Sequence, residues 1–284
     1  MAAAHPAAIL VNASFTFRHA QRYPCYLELR RHAAANPNAT FVAVSFHTSY
    51  FIPRYAGPSP SNLKWVVMEP PGRCNASLPM PYVVDKHGWP AQPRRIPWRQ
   101  RKLLFFAGRI SRAGGLIPTG GVRRALVTQL DNGDPRVTVN AQYCQCAVRG
   151  CQRLGGAKQS SQRLTMAEYV QAAHAHRFCV VSPGDTPSTR KLAETMVLAA
   201  QGACLPLFIT GTFLPYSDVL NYSRVGVMAP IPRSGAATDR LLKRLDGLDQ
   251  LEARARMQAA RGMRHAFLQP EAAHFALRRF GVTV

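Results

Sequence analysis

The chain has 284 residues, enough for one large domain or two modest ones, and at 47% hydrophobic it can bury an ordinary core. Its formal charge of +22, from 36 Lys and Arg against 14 Asp and Glu, admits nucleic acid, an acidic membrane surface or an acidic polymer as partners. No stretch of 18 apolar residues occurs, which excludes a membrane-spanning helix within this sequence, and the charges are scattered, with Arg outnumbering Lys 30 to 6 as in the proteins of a GC-rich genome.

Residues 1–98 alternate short apolar runs with turns: AAILV, the helix-like YLELRRHAAA, FVAVSF, WVVM and YVV. Pro90, Pro93 and Pro97 mark a linker that ends in the basic patch WRQRK. A strand follows from Leu103 to Ala107, closed by Gly108. After a loop with Gly114, Gly115, Gly120 and Gly121 comes a helix, VRRALVTQL, stopped by the turn signal DNGD, and then the strand VTVNA. Residues 164–176, LTMAEYVQAAHAH, read as a helix and FCVV as a buried strand. A helix runs from about Pro187 to Ala200, strands follow at Cys204–Ile209 and VGVMA, and residues 239–267 are helical. Strand–helix alternation of this kind predicts an α/β fold with parallel sheets, and the prolines near residue 95 predict two lobes.

Seven cysteines leave at least one thiol unpaired within the chain. Cys144, Cys146 and Cys151 lack the paired spacing of a zinc site and read as part of a surface disulfide in an oxidising compartment. Cys179 and Cys204 read as buried thiols rather than catalysts. Four of the eight asparagines, Asn12, Asn38, Asn75 and Asn221, stand in N-x-S/T sequons. Chance predicts about one, so the excess points to a lumenal or secreted protein. The N-terminal MAAAHPAAILVNASF has no basic start and its short apolar stretch is broken by Pro6, so it makes a poor signal peptide. The expectation is that the membrane anchor is absent from this chain.

The densest cluster of polar residues follows the FCVV strand, in SPGDTPSTRKLAETM. Thr186 suits an N-cap and Pro187 the first helical position. A helix N-terminus facing the carboxyl end of a parallel sheet is a site for a diphosphate, and Gly184 lets backbone approach a ligand. Leu192, Met196 and Ala199 share the core face of this helix, with Arg190 and Glu194 four apart on the other. That pair is either a solvent-facing ion pair worth a few tenths of a kcal/mol, or a cation for phosphate beside a carboxylate for ribose hydroxyls. Arg123, opening the helix after Gly108, is a surface residue or a bidentate phosphate ligand.

The residues Phe178, Cys179, Gly184, Asp185, Thr186, Pro187, Ser188, Arg190, Glu194, Cys204 and Pro206 match the signature of exostosin-type glycosyltransferases (family GT47), which the chain resembles. Plant and algal members of that family build cell-wall and secreted polysaccharides. LPYSD at 214–218 is similar to the segment that follows the signature, KLLFFAG at 102–108 with GGVR at 120–123 to an earlier one, and EARARMQAARGMRHAF to the terminal helix. The match covers residues 102–268, is specific in 178–218 and weakens before residue 100. There FVAVSFHTSYF corresponds to a segment with a His-Asp pair, with His47 at the His and Thr48 where the Asp is usual.

The resemblance implies a GT-B-like fold of two Rossmann-like lobes: an acceptor-side lobe over 1–98, shortened at its start, a nucleotide-sugar lobe over 99–268, and a tail over 269–284. It implies inverting transfer from a UDP-sugar to a glycan acceptor in the Golgi lumen, with other glycosyltransferase subunits as partners. Glu194 would hold the ribose. Thr186, Ser188, Arg190, Gly184, Arg123 and the Gly108–Arg109 loop would hold the diphosphate, without a metal or other cofactor. No D-x-D triplet occurs. For the base that deprotonates the acceptor, the candidates are His47, Asp85 and His87. The Thr48 departure leaves a non-catalytic partner subunit as the alternative, and a basic polyanion-binding protein as another. Nucleic acid is not expected, because aromatics do not interleave with the basic residues.

Overall fold

The computed structural model describes residues 8–12, 24–45, 60–67, 77–79, 82–84, 89–90, 93, 96–111, 120–144, 164–184, 189–269 and 271–279. The chain divides into two compact units, 1–81 with 276–284, and 82–275. Each is α/β with an all-parallel sheet, as the alternation of apolar runs predicts.

The first unit has four strands, β1 (Ala8–Asn12), β2 (Thr40–Ser45), β3 (Leu63–Val67) and β4 (Ser77–Pro79), paired in chain order. Helix α1 (Pro24–Ala35) links β1 to β2. The Asn62 side-chain amide donates to the carbonyls of Ala33, Asn36 and Ala39 at 2.8–3.0 Å. It thereby satisfies acceptors left open at the end of α1 and ties that end to the start of β3.

In the second unit the strands are β5 (Lys102–Ser111), β6 (Val137–Cys144), β7 (His176–Val181), β8 (Leu205–Ile209) and β9 (Val227–Ala229), in the order β6-β5-β7-β8-β9. The helices are α2 (Gly120–Leu130), α3 (Met166–His174), α4 (Arg190–Ala200), α5 (Gly235–Asp246), α6 (Gln250–Met263) and α7 (Glu271–Arg279), the last running across the boundary into the first unit. Leu103, Leu104, Phe105 and Phe106 are all buried, the continuous apolar run of a central parallel strand. Leu104 and Phe106 join one cluster with Leu126 and Leu130 of α2, and Phe105 joins another with Tyr169, Val170 and Ala173 of α3. Helices therefore pack on both faces of β5.

Several boundaries differ from expectation. Gly108 does not close β5; pairing with β6 continues to Ser111, and Gly108 sits within the strand opposite Ala141. Helix α4 begins at Arg190 with Thr189 as N-cap, three residues after Pro187, because the Thr189 side chain accepts the Lys191 amide. The long C-terminal helix is two helices, broken at Gly247, where Asp249 caps α6 by accepting the Glu252 amide at 2.8 Å. Cys179 and Cys204 are not free thiols but a disulfide, with Cα atoms 5.6 Å apart. They stand 25 residues apart in sequence, and the adjacency of β7 and β8 brings them together.

The basic patch before β5 is partly structural. Arg101 is buried, and its guanidinium donates to the carbonyls of Ile96, Gly202 and Ala203 at 2.6–3.0 Å. Arg261 donates to Ala200 at 3.1 Å. Together they satisfy acceptors at and beyond the C-terminal end of α4, where cations also meet the negative end of the helix dipole. Gly202, at φ +85°, turns the chain out of the helix there. Trp98 packs edge-on against Phe178, and Trp89 donates to Gln201, so residues of the proline-rich stretch belong to this unit's core.

A Cβ on Gly226 would run into the Pro206 carbonyl and the Phe208 ring. Gly226→Ala is therefore expected to lower stability by about 1–3 kcal/mol in a urea titration. His176 is buried with Nδ1 2.6 Å from the Ala172 carbonyl and Nε2 2.8 Å from the Thr138 hydroxyl. The carbonyl only accepts, so Nδ1 carries the proton and the neutral ring accepts from Thr138. Burial pushes its pKa down, outweighing the Ala172 hydrogen bond. Below the ordinary histidine value of about 6.5, the unfolded chain binds a proton that the folded one does not. Stability is thus expected to be full above that pH and to fall as pH drops through it. The stability difference between pH 7.5 and 5.5 should shrink in His176→Gln.

Candidate functional site

Strand β5 is the first strand of the second unit, yet it lies between β6 and β7. The chain leaves it toward β6 and then crosses back to β7, so the strand order reverses there. In open α/β sheets, ligands bind outside the carboxyl ends at such a point. A cleft of about 540 Å³ lies there, lined by Ala107, Gly108 and Arg109 of β5, Asn140 of β6, and residues at the starts of α3 and α4.

Both helix starts are well built. At α3, Thr165 and Glu168 form a capping box: the Glu168 carboxylate accepts from the Thr165 amide at 2.7 Å and hydroxyl at 2.9 Å. These bonds hold the Glu168 carboxyl below its usual range. At α4, Arg190 and Lys191 enter the cleft from the first turn. Residues Leu192 to Ala200 are buried all round, so α4 has no solvent face beyond its start.

Of the two alternatives weighed in the sequence for Glu194, the structure bears on the solvent-facing ion pair. Its side chain is 5% exposed against 63% for Arg190, so the pair is not solvent-facing as a whole. Glu194 does not line the cleft but lies behind the residues that do. Its Oε1 is 3.0 Å from Arg190 Nε, and its Oε2 is 2.7 Å from Lys191 Nζ. The Lys191 ammonium also sits 3.5 Å over the Tyr169 ring of α3. Burial works against its charge, but Tyr169 and Glu194 outweigh burial and hold its pKa above the ordinary value. Tyr169 itself is pushed up, first by burial.

The cleft lining therefore carries three cations, Arg109, Arg190 and Lys191, and no carboxylate among the described residues. With two helix N-termini beside them, the arrangement favours an anion. Leu164 and Met166 give the other flank an apolar surface.

The structure thus brings Gly108, Arg109 and Arg190 to one cleft, with Glu194 paired to Arg190. Arg123 does not line it; its guanidinium donates to the Arg109 carbonyl at 3.1 Å, bracing the end of β5. Gly184 is buried after β7. Thr186 and Ser188 lie outside the described residues, as do His47, Thr48, Asp85 and His87, and Cys146 and Cys151. Asn140, Thr165, Tyr169 and Lys191 were missed in the sequence. The Thr165-x-x-Glu168 capping box was there to be read. Lys191 adjoins Arg190, but one residue turns a helix by about 100°, which takes it off the face counted. Among the described residues no group of His, Cys, Asp or Glu side chains could hold a metal ion, and no helix is long and apolar enough to cross a membrane.

Comparison with known proteins adds a family. The sequence model of the exostosin GT47 domain matches residues 28–245. No curated protein matches in sequence. Among solved structures, the chain is similar to CalG4, the calicheamicin glycosyltransferase, at 12% identity, over 89% of this chain and 71% of that one, with a TM-score of 0.43. A glycosyltransferase of kitacinnamycin matches at 12% identity over 96% and 76%, TM-score 0.46. The spinosyn rhamnosyltransferase SpnG with spinosyn aglycone matches at 14% over 96% and 73%, TM-score 0.44. These likenesses are remote, and the fold assignment rests on the chain's own topology.

The Cys179–Cys204 bridge lies in the same cluster as Tyr169 and Leu198, beneath the helices that form the cleft. Replacing both cysteines by alanine is expected to lower the unfolding free energy by roughly 3 kcal/mol through loss of the loop constraint. A urea titration measures this; a loss under about 1 kcal/mol would show the bridge to be idle.

Proposed function

The chain belongs to the exostosin GT47 family, a family of glycosyltransferases, and from that premise we propose that it transfers a sugar from a UDP-sugar to a glycan acceptor with inversion. The observation that carries the donor reading is the cleft of three cations between two helix N-termini, at the carboxyl edge of the second sheet. It lies in the part of the chain that the family model covers.

In this reading the diphosphate sits against the first turn of α4. Arg190, Arg109 and backbone around Gly108 receive it, with Gly184, Thr186 and Ser188 completing the loop before the helix. Arg123 acts through the Arg109 carbonyl it holds. Leu164 and Met166 are the apolar flank against which a planar base can lie. As the bond to the sugar breaks, negative charge grows on the leaving diphosphate. Cations and N–H groups already fixed in place stabilise that charge without reorganising, which is the larger part of such catalysis. Inversion also requires a base on the opposite side of the sugar. His47 and Asp85 are the candidates that the sequence offers for it, with His87 beside them.

A Golgi or other secretory setting fits the chain. The Cys179–Cys204 disulfide is characteristic of an oxidising compartment. Two of the sequon asparagines, Asn38 and Asn221, are exposed in the structure.

The test is a calorimetric titration with UDP of protein made through a secretory route, beside Arg190→Ala. Arg190 is largely exposed, so the variant should fold. It is expected to bind UDP at least tenfold more weakly, about 1.4 kcal/mol. Folded wild type with no affinity for UDP would contradict the donor site. Binding of UDP with no turnover of any UDP-sugar would favour a non-catalytic subunit.

A further inference from the structure

The loop that leads from β8 into β9 carries a feature that the donor cleft does not use. Its Tyr222 is buried, with its ring edge-on to Phe208 and Phe267 and its hydroxyl donating to the Pro215 carbonyl at 2.6 Å. With that side chain turned inward, both of its neighbours, Asn221 and Ser223, are exposed. Arg256 holds the backbone here, donating to the carbonyls of Ser223 at 2.8 Å and Gly226 at 2.7 Å. Asn221-Tyr222-Ser223 is one of the four N-x-S/T sequons, and its middle residue is not proline. Asn221 precedes a one-turn helix, Tyr222–Arg224, without capping it through its side chain. Its Oδ1 accepts the Ser223 hydroxyl at 2.6 Å, and its Nδ2 makes no hydrogen bond among the described residues.

The surroundings are unusual for this chain. Three large hydrophobic residues are exposed among the described residues, and two of them flank this sequon. Val219, 52% exposed, stands two residues before Asn221, and Met228, 43% exposed, lies in β9. Strand β9 is an edge of its sheet. Ser223 and Gly226 share one Arg256 nitrogen, so the sequon lies beside the entry to that strand. An edge strand with apolar side chains in water invites pairing with another chain unless something covers it.

Resting on the secretory setting proposed above, we infer that Asn221 is a site of N-glycosylation, and that its glycan covers the apolar edge formed by Val219 and Met228. The co-reactant is an oligosaccharide carried on a lipid diphosphate, transferred in the lumen by the host's sequon-modifying transferase. Nδ2 of Asn221 forms the new bond to the anomeric carbon and loses one proton to a base of that transferase. The bond from the anomeric carbon to the diphosphate oxygen breaks, and the diphosphate leaves with its lipid. The product is a bulky, solubilising surface group. In the folded chain it does not compete with the donor. The strands of this sheet are parallel, and the sequon precedes β9, at the amino edge, whereas the cleft lies at the carboxyl edge.

The experiment sends the full chain through the secretory pathway of a eukaryotic host by means of an added leader. Peptides are mapped by mass spectrometry before and after treatment with peptide N-glycosidase, with and without reduction. Asn221 is expected to carry a glycan and to become aspartate on enzymatic release. Ser223→Ala is expected to abolish the modification and Ser223→Thr to keep it, since either hydroxyl completes the motif. Glycan at Asn221 that survives Ser223→Ala would overturn the sequon assignment. Unmodified Asn221 in protein whose Cys179 and Cys204 are linked would overturn the inference and leave the secretory setting standing. Unmodified Asn221 with both cysteines reduced would remove the secretory setting and the inference with it. The covering role is read by light scattering after the glycans are released from the folded wild type, which needs no variant to fold. Self-association is expected to rise on release, and to rise likewise in Ser223→Ala. Protein that stays as dispersed without the Asn221 glycan as with it would refute the covering role.

Discussion

Everything proposed for the cleft depends on helix α4 being held at both ends. Its C-terminal end is fixed by arginine. Arg261 takes the Ala200 carbonyl, and Arg101, itself buried, takes those of Gly202 and Ala203. Gly202 makes the left-handed turn that lets the chain leave the helix and enter Cys204 and β8. The disulfide then joins the start of β8 to β7 beneath the helix. With its far end and its floor fixed, α4 projects its first turn at the point where the strand order reverses. Arg190 and Lys191 gain a defined position from that, and Glu194 pairs with both.

The excess of arginine takes on a different meaning in this light. With only 14 acidic residues against 36 basic ones, most cations lack a carboxylate to pair with. Many donate to main-chain carbonyls, Arg177 and Arg256 doing so beside a carboxylate they also pair with. Arg101, Arg177, Arg244, Arg256 and Arg261 each hold one or more carbonyls at loops and helix ends. A guanidinium suits this because it stays charged and spreads its donors over a planar fork. A strongly basic composition therefore serves the fold of the second unit as well as any acidic ligand, and it needs no nucleic acid to explain it.

Much of the architecture was legible because buried parallel strands write themselves plainly. KLLFF, VTVNA, FCVV and LPLFI are apolar runs with turn signals between them, and each is a strand. The capped start of α3 and the turn at Asn132–Gly133 were equally readable. Where the reading slipped, a tertiary contact overrode a local signal. Gly108 looked like a stop, but pairing to β6 carries the strand through it. Thr186 and Pro187 looked like a helix start, but Thr189 provides the cap. Cys179 and Cys204 looked independent because only the sheet brings them together. At the cleft, Gly108 was legible as a break in an apolar run and Arg190 from its place at a helix start, whereas Arg109 came from the family resemblance. Asn140 and Tyr169 were not, since nothing local marks a strand residue or a helix residue that meets a neighbour's ligand. Glu194 was found, but not its burial. A helical wheel shows it opposite Leu192, and cannot show that α4 is buried on both sides.

The most direct test is where on the chain UDP is felt. Hydrogen exchange of backbone amides, with and without saturating UDP, reports this without a variant. A donor site at this cleft predicts that protection is concentrated in the first turn of α4, around Arg190 to Leu192, at Gly108–Arg109, and at the start of α3. Protection confined to other segments, with these amides exchanging as in the free protein, would contradict it.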